Sequence, residues 1–264
     1  MSVNFRQGGL EPSSENSEIE FEQKMVFGDG SRLLIAQGRH KTPRVLVVGR
    51  SNPLLAGDFV VNACRMLTLH GISFAVLESP SIHLHNELGK WVDPNRLWSP
   101  VRNGLIAVMA LRYPGFWRHI TFSGNQIAIS IKGKIARLRH AIHALGRERE
   151  TVVIGHSMGG RLATMIADEI GLKGVVCFAY PFRPPGAGPE PERYAHLEHL
   201  ATRTLLFQGD DDVYGSLASL GNFRLSERID ARRLDADHDM NLSPDTWDLV
   251  FETIAREFWP EHDR

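Results

Sequence analysis

Hydrophobic positions along the chain follow two rhythms. From Glu18, EIEFEQKMVF alternates apolar and polar residues, GDG interrupts, and SRLLIAQG returns, which predicts a β-hairpin. Arg44 to Gly49, RVLVVG, is instead a continuous apolar run, as expected of a strand buried on both faces. A helical pattern follows from Phe59 to Leu69, and ISFAVLES reads as the next strand. The rhythm resumes with a helix over Ile131 to Leu145, a strand over Thr151 to Ile154 and a helix after Ser157. Strand GVVCFAY, strand TRTLLFQG, a helical stretch near Ser216 to Arg224, strand RIDARRLD and a last helix from Pro244 to Phe258 complete the series. Strands alternating with helices predict one α/β domain, a mostly parallel sheet with helices on both faces.

The regular alternation breaks between Ser81 and Ser130. About fifty residues there separate two regular units, where a connection usually takes 2–6 residues plus a helix. The segment holds Trp91, Trp98 and Trp117, with Tyr113, Phe116 and Phe122. So many aromatics predict an ordered, cap-like insertion over one end of the sheet. Its aromatics would line a pocket, form the cap's own core or make an interface. GLIAVMALRYPGFW, Gly104 to Trp117, is also apolar enough to dock on a bilayer. Residues 1–17 are polar and rich in Ser, Glu and Gly, and read as a flexible leader without a secretory signal. The domain proper then spans 18–264, and the Pro/Gly cluster from Tyr180 to Arg193 reads as a rigid loop.

Composition changes little in this picture. The 264 residues are 42% hydrophobic and carry a formal net charge of -1, which gives no argument for nucleic acid. Cys64 and Cys177 both sit in apolar surroundings and read as buried free thiols, consistent with a cytoplasmic protein. His83 and His85, and His140 and His143, lack the companion cysteines or carboxylates of a zinc site and read as surface or helix-face histidines. No phosphate-cradling glycine motif follows the first buried strand, so no nucleotide cofactor is implied.

The candidate chemistry sits in TVVIGHSMGGRLATMIADEIG, Thr151 to Gly171. A serine placed on a sharp strand-to-helix turn needs a strand before it, small residues around it and a helix after it. Thr151 to Ile154 supply the strand, and Gly155 and Gly159 remove side chains that would collide. Leu162, Ile166 and Ile170, four apart, give the following helix one apolar face. Such a turn presents Ser157 as a nucleophile and aims the Met158 N–H at a developing oxyanion. A serine hydroxyl needs a base, and the base needs an orienting acid. These are expected later in the chain, acid before histidine, each just past a strand. Asp210, Asp211 and Asp212 follow one strand and His238 follows the next. Asp212 is the favoured acid, with Asp210 and Asp211 as runners-up and a helix N-cap as its structural alternative. His156 is expected to pack on the sheet or polarise the turn.

With these residues in place the chain resembles the α/β-hydrolase superfamily, in its small dienelactone-hydrolase-like esterase branch. GHSMGGRLAT is similar to that branch's nucleophile elbow, and YPFRPPGAGPE to its proline-rich loop. LLFQGDDDVYG resembles the acid-bearing Q-G-x-x-D segment and DADHDMN the histidine loop. The resemblance covers Thr151 to Arg264 well and the earlier chain loosely. It implies a Ser157–His238–Asp212 triad, no cofactor, and hydrolysis of an ester, thioester or amide of a small substrate. Two features depart from the pattern. The family's His-Gly after the first central strand is Val48-Gly49 here, so the second oxyanion donor falls to the N–H of Arg50 or Ser51, or the hole is incomplete. Compact members also lack the aromatic insertion. A non-catalytic binding or scaffold protein on the same fold is therefore the rival reading. Arg183 and Arg50 are candidates for holding an acidic substrate group.

Overall fold

A computed structural model describes residues 19, 21–39, 44–50, 58–123, 126–188, 190–218 and 224–260. The hairpin is β1 (Gln23–Val26) and β2 (Arg32–Ala36). Then come β3 (Val45–Val48), α1 (Phe59–Leu69) and β4 (Phe74–Glu78). The insertion contains α2 (Pro80–Leu88), α3 (Ser99–Ala110) and a small hairpin, β5 (Ile120–Ser123) with β6 (Gln126–Ile129). The chain continues through α4 (Ile131–Leu145), β7 (Val152–His156), α5 (Met158–Ile170) and β8 (Gly174–Phe178). A short α6 (Pro191–Tyr194), β9 (Thr204–Gly209), β10 (Ile229–Leu234) and α7 (Pro244–Phe258) follow.

The main sheet has eight strands in the order β1-β2-β4-β3-β7-β8-β9-β10. Every pair from β4 to β10 is parallel, while β1–β2 and β2–β4 are antiparallel. Continuous apolar runs gave the central strands away for a physical reason: β3, β4, β7, β8 and β9 are buried along their whole length. Two cores result. Phe59, Cys64 and Leu67 of α1 join Trp247, Phe251 and Phe258 of α7 on one face. Leu138 and Ile142 of α4 join Leu162 and Ile166 of α5 on the other. Both thiols are free and buried, and burial pushes both well above the usual thiol range, so neither is nucleophilic.

The strand order reverses between β4 and β7, because the chain leaves β3 first toward one sheet edge and later returns to its other side. In open parallel sheets the crevice at such a reversal, outside the carboxyl ends of the strands, is where ligands bind. Arg50 lies just past the end of β3 and Ser157 just past the end of β7.

Among its described residues the insertion, expected to be ordered, forms helices and a short hairpin. It is fastened to the β1–β2 turn. His83 of α2 donates from Nδ1 to the Gly30 carbonyl at 2.7 Å, and the Gly115 N–H donates to the Gly28 carbonyl at 3.0 Å. His83 and His85 are therefore buried in the cap rather than solvated, whereas His143 is exposed beside Glu148. Arg32 of β2 bonds through Nε to Glu78 of β4, both buried, and reaches Glu87 of α2 at 3.1 Å. Asn86 Nδ2 donates to the second Glu78 oxygen at 3.0 Å. Phe116 joins Leu84 and Ala110 in a small core of its own, while Trp91 and Trp98 lie 87% and 74% exposed. Those two tryptophans are thus neither cap core nor pocket wall. Two expectations, the leader over 1–17 and most of the helical stretch near Ser216 to Arg224, lie outside the described residues.

The Arg32–Glu78 pair yields a stability test. Removing one partner of a buried pair strands the other charge and costs about 3–5 kcal/mol, whereas replacing both by apolar residues is close to neutral. Glu78→Ala is expected to lower the unfolding free energy by about 3 kcal/mol, part of the loss being offset by Glu87. Arg32→Met with Glu78→Leu is expected to restore it to within about 1 kcal/mol of the parent. Urea unfolding midpoints at constant slope measure both.

Candidate active site

Ser157 has φ 52° and ψ -117°, a conformation that side chains other than glycine's rarely adopt. The surrounding glycines explain how it is held. A Cβ on Gly155 would lie 2.4 Å from the Gly160 nitrogen, and one on Gly159 would lie 2.3 Å from the Val48 carbonyl oxygen. The elbow is therefore squeezed between the start of α5 and the end of β3. The Ser157 N–H donates to the Phe178 carbonyl at 2.8 Å, tying the turn to β8 as well. Met158 opens α5, so its N–H is among the first-turn donors that no helical carbonyl can satisfy.

The structure brings the three expected side chains together. His238 Nε2 lies 2.9 Å from Ser157 Oγ, and His238 Nδ1 lies 2.9 Å from both oxygens of Asp212. All three residues are buried. A carboxylate only accepts, so Nδ1 carries the proton and Nε2 of the neutral ring is left free to accept the serine hydroxyl. The runners-up go elsewhere: Asp210 pairs with Arg233 at 2.8 Å on the surface, and the Asp211 N–H donates to Ala236.

Two further residues shape the site, and one of them has no individual signal in the sequence. Gln208, at the end of β9, donates from Nε2 to Asp212 Oδ2 at 2.8 Å and accepts at Oε1 from the Tyr180 N–H. The Tyr214 N–H donates to Asp212 Oδ1 at 2.8 Å. Asp212 thereby receives three separate donors, from Gln208, Tyr214 and His238, which fix its plane. The Tyr214 ring also lies 4.1 Å from the His238 ring, centre to centre. Only the Q-G-x-x-D spacing hinted at Gln208; nothing marked Tyr214.

His156, expected to pack on the sheet or polarise the turn, meets a helix and the histidine loop. Its ring stacks on Phe59 of α1 at 4.7 Å, and its Nε2 donates to the His238 carbonyl at 2.8 Å. Arg50 meets the same loop: its Nη2 lies 2.6 Å from Asp239 and 3.4 Å from the His238 carbonyl. The Arg50 side chain is thus spent on the histidine loop rather than on a substrate acid. Arg183 anchors its backbone N–H on Tyr214 at 3.0 Å, and its buried Nε has no hydrogen-bond partner among the described residues. Ser51, the alternative oxyanion donor, lies outside the described residues. Among the described residues no group of three or more metal-ligating side chains comes together.

Comparison with known proteins fits this geometry. The family model described as "Alpha/beta hydrolase domain" matches residues 106–256, more than half of the chain. A search of curated proteins finds no match. Among solved structures, an alpha-beta serine hydrolase homologue from Coxiella burnetii aligns at 13% identity and TM-score 0.53, covering 91% of this chain and 99% of its own. The meta-cleavage product hydrolase of Pseudomonas fluorescens aligns at 12% identity and TM-score 0.55, covering 90% and 97%. A protein assigned as a dienelactone hydrolase in Klebsiella pneumoniae aligns at 15% identity and TM-score 0.53, covering 86% and 92%. At these identities the structural matches speak for the fold alone.

His156 also makes a prediction about acid. Burial, foremost, lowers its imidazole from 6.5 to about 3, and His196, beside Arg161, falls likewise to about 4. The unfolded chain then binds protons that the folded one refuses, so this contribution is complete above about pH 6.5 and is lost as pH falls toward 3. Unfolding free energy is expected to decline from about pH 7 to pH 4, and less steeply in His156→Gln. Urea titrations at several pH values measure the slope; equal slopes in both proteins would remove His156 as the cause.

With the elbow, the strand order and the family match in agreement, the chain belongs to the α/β-hydrolase domain family.

Proposed function

We propose that this protein is a serine hydrolase acting on an ester, thioester or amide of a small substrate, without a cofactor. The observation that carries the reading is the buried relay from Asp212 through His238 to Ser157, with both gaps at 2.9 Å. Ser157 Oγ attacks the carbonyl carbon while His238 Nε2 takes its proton. Asp212 holds the imidazole in the required tautomer and stabilises its charge. The oxyanion is met by the N–H of Met158 at the head of α5 and by that of Arg50 past β3. Collapse of the tetrahedral intermediate expels the alcohol, thiol or amine with the proton from His238, leaving an acyl-enzyme. Water then attacks with His238 as base, and release of the acid restores Ser157. The two buried free thiols support placing the enzyme in a reducing, cytoplasmic setting.

A second reading, a non-catalytic binding module, rests on Val48 standing where the resemblance leads one to expect histidine. Loss of one oxyanion donor costs about 10²–10³ in rate. Such a loss weakens an enzyme of this kind without abolishing it.

A fluorophosphonate probe separates the two. The parent protein is expected to be labelled at Ser157, and Ser157→Ala and His238→Ala to lose the label. With an ester the parent hydrolyses, Asp212→Asn is expected to lower kcat by about 10⁴. A folded parent protein that takes no label would overturn the enzyme reading in favour of the binding module.

A further inference from the structure

Helix α3 presents an apolar face to solvent. Val101, Leu105, Val108 and Leu111, spaced by four, three and three residues, are all exposed, the last two at 64% and 69%. Trp98 at the helix start and Trp91 in the preceding turn are exposed as well. The helix's other face, with Ile106, Met109 and Ala110, packs against the cap around Leu84. Solvation alone gives no reason to expose two tryptophans and four aliphatic side chains on one small element.

The charge around this face is predominantly positive. Between Asp93 and Glu148 the sequence contains nine Lys or Arg and no Asp or Glu, in a chain whose net charge is -1. Arg96 and Arg112 are exposed and Arg102 is half-buried, all on or beside α3. Asp93, at the boundary, lies 3.4 Å from Arg96. An apolar helical face with tryptophans at its end and a cationic surround, Asp93 apart, has the makeup of a helix lying in a membrane interface.

We propose that the α3 face docks this protein on an anionic phospholipid bilayer, with the helix in the plane of the surface. Trp91, Trp98, Val101, Leu105, Val108 and Leu111 enter the boundary between headgroups and chains. Arg96, Arg102 and Arg112 meet the lipid phosphates. No helix among the described residues is long and apolar enough to cross a membrane, so the contact is peripheral. A second copy of the chain fits this surface less well. A two-fold dimer through one shared face would set the arginines of each copy near those of the other, with no acidic residue from Pro94 to Arg147 to pair them. The docking does not depend on the proposed hydrolysis.

Flotation with vesicles of phosphatidylcholine, with and without phosphatidylglycerol, tests it. Three arginines near an anionic surface are expected to raise partitioning roughly 100-fold over neutral vesicles, and added salt to reduce it. Brominated lipid is expected to quench tryptophan emission in the bound state. Val101→Asp with Val108→Asp is expected to abolish binding while far-UV circular dichroism stays unchanged. Ser157→Ala is expected to bind like the parent, so failure of the triad and failure of docking are read separately. Absence of binding, equal binding to both vesicle types, or a solution dimer that the double aspartate variant dissolves would overturn the proposal.

Discussion

The placement of Ser157 depends on a backbone that only its neighbours make tolerable. A φ of 52° at a serine costs on the order of 1–3 kcal/mol and persists only where the surroundings over-determine it. Here they do so from three directions. The Val48 carbonyl closes on Gly159, Gly155 presses on Gly160, and Phe178 takes the Ser157 N–H. Each contact requires the absence of a side chain or the presence of an adjacent strand end. The turn therefore exists only when β3, β7 and β8 lie side by side, and assembly of the central sheet and placement of Ser157 are one event.

The rest of the site is built outward from that turn. His238 must meet Oγ from a loop with little secondary structure of its own, and its backbone is gripped instead. His156 and Arg50 both donate to its carbonyl, and Arg50 also holds Asp239. Asp212 is fixed by Gln208 and the Tyr214 N–H before the imidazole adds its own bond. These partners come from the ends of β3, β7 and β9 and from the turn after β9, so the sheet's carboxyl edge sets the geometry of the relay. Burial keeps His156 neutral, and its Nε2–H is spent on the His238 carbonyl.

Much of this was legible in the sequence where chemistry coincides with chain order. Ser157, Asp212 and His238 each follow a strand that its composition announces, and Gly155 and Gly159 flag the sharp turn. The boundaries of α1 and α4 were equally plain, because each has one apolar face and one polar face. α3 was hidden for the opposite reason: apolar residues occupy both its packed and its exposed sides, so no single stripe stands out. His83 read as a surface or helix-face position because its burying partner, the Gly30 carbonyl of the β1–β2 turn, lies more than fifty residues upstream. Tyr214 and the reach of Arg50 depend on which loops face each other across the sheet edge, and spacing along the chain does not encode that.

The insertion is fastened almost entirely by residues that precede it. Gly28 and Gly30 supply carbonyls, Arg32 supplies the buried cation, and Asp29 binds Arg137 of α4 at 2.7 Å where the segment ends. The cap and the β1–β2 turn consequently form one module, although the sequence separates them by β2, β3, α1 and β4. For recombination this sets the crossover points. Exchanging 81–130 alone between relatives severs the ties to Gly28, Gly30 and Arg32, whereas a graft that carries 28–32 along with the cap keeps lock and key together. A cap exchanged intact would then be inherited through two distant stretches of the gene, not one.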